Sequence, residues 1–208
     1  MITLLQKHWQ QLTPATPIAT TIFEQIIVHY QEPKRHYHNL THISNLLVLW
    51  EQYQRQLQEA DTVAYSIFFH DIIYNATQND NEEQSALLAQ KYLRELACSE
   101  AQISKVTDYI LATKKHPSST TPTDLQWFLE FDLSILGADL ATYQMYAQQI
   151  RQEYQHVPEW QYKIGRRKVL QYFLAQTQLF YCLPNSYNQN AKENLSWELE
   201  KLKFLGLF

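Results

Sequence analysis

The chain has 208 residues, 45% hydrophobic and 13% aromatic, which suits one globular domain, or one domain with an appended lobe, and excludes a disordered chain. Only three glycines occur, so a Gly-rich phosphate loop and a β-structure with many tight turns are both disfavoured. A formal charge of −4 argues against a nucleic-acid polymer or a membrane surface as partner, and the widely separated Cys98 and Cys182 make neither a CxxC pair nor a disulfide framework.

The elements read, in chain order, as amphipathic helices joined by short polar breaks. The first covers about residues 2–12 and stops before Thr13-Pro14. Pro17 opens the second, whose apolar face carries Ile22, Phe23, Ile26, Ile27 and Tyr30 until Glu32-Pro33 breaks it. A third, over about 39–58, has Leu46, Leu49 and Tyr53 at helical spacing. Asp61 is a plausible N-cap for a fourth that runs to about Tyr74 and is apolar nearly all round, which marks a central, buried helix. Asp80 with Glu83, and Ser99 with Gln102, have the spacing of capping boxes. The second of these opens a helix to about Lys115. A Pro/Ser/Thr loop at 117–123 follows, then helices over about 124–135, 139–156, 158–178 and 190–205, with Pro158 suited to a first turn. Phe204-Leu205-Gly206-Leu207-Phe208 reads as a docking tail. There is no period-two run, no repeat and no long linker, so the fold class is all-α, as a single domain over 1–208. No basic start with a long apolar run marks a signal peptide, and no apolar stretch approaches the roughly 20 residues of a membrane span. A cytoplasmic location is the expectation.

Chemistry concentrates at His70-Asp71, two polar residues closing an apolar helix. An ionised carboxylate in such a setting needs a cation or several hydrogen bonds. A lone His-Asp pair is unspecific. His42, however, shares its helix face with Leu46 and Leu49 and so points inward, and Asp132 lies in the apolar stretch Phe128–Leu136. His42, His70, Asp71 and Asp132 together offer two nitrogens and two carboxylates. That mixture suits a divalent transition ion such as Mn, Ni, Co, Fe or Zn, with Mg less favoured because of the imidazoles.

The order His…His-Asp…Asp resembles the HD-domain superfamily of metal-dependent phosphohydrolases. The match looks closer to one bacterial branch of it, described as predicted metal-dependent HD phosphohydrolases. The resemblance rests on Arg35-His36-Tyr37-His38-Asn39-Leu40-Thr41-His42-Ile43, Phe69-His70-Asp71-Ile72-Ile73-Tyr74 and Asp80-Asn81-Glu82-Glu83-Gln84-Ser85-Ala86. It continues in Phe131-Asp132-Leu133-Ser134-Ile135-Leu136-Gly137, Ile150-Arg151-Gln152-Glu153-Tyr154 and Gly165-Arg166-Arg167. It implies a helical HD-domain-like bundle with additional C-terminal helices, and a metal at His42, His70, Asp71 and Asp132. Phosphate-ester hydrolysis is its weaker implication.

Around this set stand residues with two readings each. Arg35, His38, Lys115 and Arg151 are candidates to bind a substrate phosphate; an arginine alone is more often a structural ion pair, and lysines at a helix C-terminus complement its dipole. Glu83 is a candidate acid or base, against a capping role. His116 is a candidate for a second shell, a second metal or catalysis, and Asp71 joins it and Glu83 as catalytic candidates. The function expected is hydrolysis of a small phosphate ester, with nucleotides among the candidates, by metal-activated water. The rivals are a metal-stabilised binding or regulatory module, and a di-iron oxygenase drawing extra ligands from His38 and His116. A homodimer is compatible with the helical surface, but no residue specifies one.

Overall fold

Ten α-helices and two 3-10 turns make up the regular structure of residues 1–117 and 123–203, the residues described by the computed structural model, and no strand occurs among them. The helices are α1 (Ile2–Leu12), α2 (Pro17–Tyr30), α3 (Leu40–Tyr53), α4 (Ala60–Phe69), α5 (Asn81–Glu95), α6 (Glu100–Ala112), α7 (Asp124–Leu133), α8 (Leu140–Glu153), α9 (Glu159–Leu174) and α10 (Asn185–Lys201). The chain is all-α, as its periodicity predicts. No helix among the described residues is long and apolar enough to cross a membrane.

The apolar α4 takes the central position its composition demands. It packs against α3, α5, α6 and α7, and every side chain from Thr62 to Phe69 is buried. Phe68 and Phe69 are wholly enclosed, each burial contributing about 2 kcal/mol. Trp9 of α1 meets both rings edge-on and stacks on Phe23 of α2, while its indole N–H donates to the Ala19 carbonyl. One apolar core thereby runs from Leu5 to Leu195.

Several helix ends differ from their expected places, each for a long-range reason. The third helix stops at Tyr53 and passes into a 3-10 turn at Gln54–Gln56. Asp61 does not cap α4. The carboxylate of Asp124, on α7, instead accepts the backbone N–H groups of Gln58 and Glu59. The helix ends at Phe69 rather than near Tyr74, which leaves His70 and Asp71 in a turn. The Asp80–Glu83 capping box is absent: Asp80 accepts from the Gln84 side chain and Glu83 is drawn to Lys114. Ser99 does accept from the Gln102 N–H, but the Gln102 side chain reaches Thr62 instead of returning. Pro158 occupies the N-cap itself, and the last helix begins at Asn185, five residues early. Residues 118–122 of the Pro/Ser/Thr loop and the tail 204–208 lie outside the described residues.

The C-terminal helix settles on a second 3-10 turn, Ser134–Gly137, directly after α7. Asn194 donates to the carbonyls of Leu136 and Ala138, and Asn190 to that of Gly137, which satisfies a turn end that has no helix to continue it. The approach is close. A Cβ on Gly137 would stand 2.8 Å from the Cα and carbonyl oxygen of Tyr187. Gly137→Ala is therefore expected to cost about 2 kcal/mol by forcing the two backbones apart. Urea unfolding would read this as a lower midpoint; an unchanged midpoint would show that α10 can shift freely.

Candidate metal centre

Three elements bring four donors together. α3 presents His42, the turn after α4 presents His70 and Asp71, and α7 presents Asp132. The Nε2 atoms of His42 and His70 are 3.0 Å apart. Asp132 Oδ1 lies 3.3 Å from His42 Nε2 and 3.5 Å from His70 Nε2. Asp71 Oδ2 lies 3.6 Å and 3.1 Å from the same two atoms. Donors about 2.1 Å from a common ion stand about 3.0 Å apart at right angles and about 3.4 Å apart at tetrahedral angles. The distances from each carboxylate to the two imidazoles match those between neighbouring ligands of one cation. Among the described residues His42, His70 and Asp132 form a group whose donor atoms all lie within 4.8 Å of one another and which could hold a metal ion; Asp71 faces the same two nitrogens from outside that group.

The chemistry of the donors fits as well. His70 Nδ1 lies 3.0 Å from the Ile67 carbonyl, an arrangement that places the ring proton there and leaves the Nε2 lone pair facing the cluster. Two imidazole nitrogens at 3.0 Å need a proton or a cation between them. Both rings are buried, with side-chain exposures of 1%, whereas Asp71 and Asp132 keep 17% and 14%. Nitrogen donors thus line the floor, and carboxylates form the edge open to water.

Electrostatics follow from this crowding. Burial opposes charge on His70, but Asp71 and Asp132 outweigh it and hold the ring's pKa well above the usual histidine value. His42 is shifted down, because burial there exceeds the pull of Asp132. Burial also works against ionised Asp132, yet contacts from His116, His42 and His70 keep its carboxyl well below the usual range. Asp71 is likewise depressed by His70 and His38 despite its burial.

Arg35, a candidate to bind a substrate phosphate, is engaged within the protein. Its side chain is buried, and its guanidinium donates to the carbonyls of His38, Asp71 and Ile72 and to Glu32. The cation lies over the rings of Tyr30 and Tyr74, and the Tyr30 hydroxyl accepts the Asp71 N–H. Arg35 therefore replaces the helical partners that the His70-Asp71 turn gives up, and positions Asp71. Arg151 takes the structural ion-pair role that stood beside phosphate binding: it ties Glu159 and the carbonyls of Tyr154 and Val157 across the α8–α9 connection. Glu83, the candidate acid or base, forms an exposed pair with Lys114 at 2.6 Å. Lys115 is exposed and has no ion pair among the described residues. None of Arg151, Glu83 and Lys115 shares a described contact with the four donors.

His116 and His38 do join the centre. His116 Nε2 is 2.9 Å from Asp132 Oδ2, the oxygen turned away from His42 and His70. It holds this contact from a left-handed backbone conformation, φ 43°, in which histidine is among the more tolerated residues. From there the ring holds the Asp132 carboxylate in orientation while Oδ1 stays turned to the two imidazoles. His116→Ala is expected to weaken divalent-metal affinity about 10- to 100-fold, measured by competition with a metal-binding dye. Equal affinity would remove His116 from the centre.

His38 leads to a residue that carried no role in the sequence reading. Its Nδ1 is 2.7 Å from Glu153 Oε2, and Glu153 also accepts the N–H groups of Tyr37 and His38 and the hydroxyl of Tyr74. These contacts outweigh burial and bring the Glu153 carboxyl down to about 2. The signal was present. Glu153 continues the buried stripe Tyr143, Tyr146, Ile150 along α8 at three- and four-residue spacing, where a carboxylate needs a partner. Tyr74 and Glu153, with Arg35, Asn75 and His156, also line a cleft of about 460 Å³.

Comparison of the chain with family models, with curated proteins and with solved structures finds no match in any of the three. The site's reading rests on its own geometry and on the ligand order.

Proposed function

We propose that the protein is a metal-dependent phosphohydrolase with an HD-domain-like helical bundle, acting on a small phosphate ester. The observation that carries this reading is the convergence of His42, His70 and Asp132 with the spacings of ligands to one cation, with Asp71 beside the same two imidazoles and the carboxylates on the side open to water. The order of these donors along the chain supports the phosphohydrolase assignment. A divalent ion of the Mn, Ni, Co, Fe or Zn type held there supplies Lewis acidity toward a phosphoryl oxygen and lowers the pKa of water.

The chain's own residues supply the rest. His42 and His70 offer neutral nitrogens from a dry floor. Asp71 and Asp132 balance the charge of the cation and stay ionised across the neutral range. Arg35 fixes the turn that aims Asp71, and His116 fixes Asp132. The small-molecule substrate approaches over the carboxylate edge, where the site meets solvent.

Elemental analysis of the purified chain, before and after incubation with Mn²⁺, Ni²⁺, Co²⁺ or Fe²⁺, tests the first half of the proposal. Release of phosphate or alcohol from a panel of phosphate esters tests the second. Near-stoichiometric metal with metal-dependent product is the expected result. Metal without any product would favour the binding-module reading, and a chain that takes up no metal would sink both.

A further inference from the structure

Helix α9 is buried along one face only. Tyr162, Arg166 and Leu170 recur every four residues and point inward, with Arg166 paired to Glu198 of α10 at 2.7 Å. The opposite face carries Trp160, Ile164, Val169 and Tyr172, each 43% to 55% exposed. Aromatic side chains cover about 150–250 Å² and aliphatic ones somewhat less, so the four leave on the order of 400 Å² of mainly apolar surface. Apolar residues scattered singly need no explanation, whereas a contiguous patch of that size does. Gly165 lies at its centre. Its φ is not positive, and no described atom outside its own helix stands within 4 Å of the place a Cβ would take. Neither backbone conformation nor packing within the chain calls for glycine there, and glycine weakens a helix interior relative to alanine. What a bare Cα does offer is close approach to a second backbone. Tyr172 is fixed at the end of this face, its hydroxyl donating to the Lys115 carbonyl at 3.3 Å.

We propose that the outer face of α9 is the contact between two copies of this chain, antiparallel about a two-fold axis that passes between Ile164 and Gly165. A two-fold contact requires a patch that fits itself. About that axis, Ile164 of one copy lies over Gly165 of the other, Trp160 is level with Val169, and Gln161 with Lys168. The large apolar side chain of each pair thus meets a smaller residue. Charge selects antiparallel over parallel. A parallel pair would set Lys168 against Lys168, whereas the antiparallel pair turns it toward the end where Glu159 stands. Glu159 meets Arg151 and Lys163 of its own chain and keeps 59% of its side chain exposed, so a third cation can reach it. The opposed helix dipoles favour the same arrangement. With Gln161, Lys168 and Gln171, exposed beside the apolar residues, the face reaches roughly 700 Å², near the ~800 Å² that each partner gives to a specific interface. The inference uses nothing at the metal centre and is independent of the hydrolase reading.

Sedimentation velocity of the full chain over a concentration series is expected to give a species of twice the 24.7 kDa chain. Ile164→Glu sets two carboxylates on either side of the axis and should weaken association at least about 100-fold, with circular dichroism near the parent's. Gly165→Ala separates the helix from the contact. In the dilute, monomeric chain it should raise the urea midpoint, because alanine is the better helix former and the space is open. At the contact the added methyl group should weaken association about 10-fold. Mild oxidation reads the register. Ile164→Cys should link the two copies and Trp160→Cys should not, because the axis sets the two copies of position 160 about 14 Å apart along the helices, beyond the roughly 7 Å that a disulfide spans. A chain that stays monomeric throughout, a dimer indifferent to both Ile164→Glu and Gly165→Ala, or linking through Trp160→Cys would each overturn the inference. The hydrolase reading stands or falls on metal uptake and ester cleavage, and none of these outcomes touches it.

Discussion

The His70→Ala chain is expected to lose stoichiometric divalent metal while keeping its helical content. His70 is the donor closest to all the others: its Nε2 lies 3.0 Å from His42 Nε2, 3.1 Å from Asp71 and 3.5 Å from Asp132. Removing a partner that only orients a ligand costs 10- to 100-fold in affinity, so removing a ligand should cost at least about 100-fold. The side chain lies outside the main helix and is replaced by a smaller one, so α4 has no reason to unwind. Asp71→Ala should behave alike and abolish ester cleavage, with circular dichroism near the parent's. The pH dependence has a definite sign. In the metal-free chain the two aspartates hold the His70 pKa above its ordinary value of about 6.5. Proton and cation compete for the same Nε2, so metal uptake strengthens as pH rises through that raised pKa and weakens below it. Elemental analysis and titration at several pH values measure both effects. A His70→Ala chain with full metal content would place the ion elsewhere and undo the assignment of the centre.

Glu130→Ala should be the most damaging change to stability, at about 4 kcal/mol. Glu130 is 1% exposed in α7, among Trp127, Phe128, Leu129 and Phe131. Its carboxylate accepts the N–H groups of Tyr181, Cys182 and Leu183, and the side chain of Gln126. These three N–H groups belong to the connection between α9 and α10, which has no regular structure of its own. Alanine would leave them without an acceptor at a cost of about 1–3 kcal/mol each, partly relieved by entering water. Domains of ordinary stability have only about 5–15 kcal/mol to lose. Glu130→Gln keeps one acceptor oxygen and should cost about half as much. Urea unfolding followed by tryptophan fluorescence measures the difference. A loss below about 1 kcal/mol would mean that water already satisfies that connection.

What could be read along the chain was whatever depends on near neighbours. Helical periodicity gave the class of the fold and the existence of each helix. The all-round apolar character of Thr62–Phe69 gave α4 its central place, and the shared face of His42 with Leu46 turned that imidazole inward. A carboxylate in the apolar run around Asp132 was anomalous enough to join the ligand set. These signals are local because a helix closes its hydrogen bonds within four residues.

What the chain could not declare was who partners whom. Asp124 looks like the first residue of its own helix, yet it caps the entry to α4 some 65 residues earlier, at Glu59. Asp80 and Glu83 have the spacing of a capping box, but Lys114 arrives from α6 and takes Glu83. Arg35 has the chemistry to bind phosphate, and tertiary packing turns it instead onto the carbonyls of Asp71 and Ile72, where an open turn leaves acceptors unpaired. Glu153 lies 115 residues from His38, and only folding brings α8 against the loop before α3. Where helices form and which of their faces are buried is legible along the chain, since both depend on side chains three and four apart. Which charge meets which donor is settled only on folding, because that choice falls to whichever partner burial leaves without water.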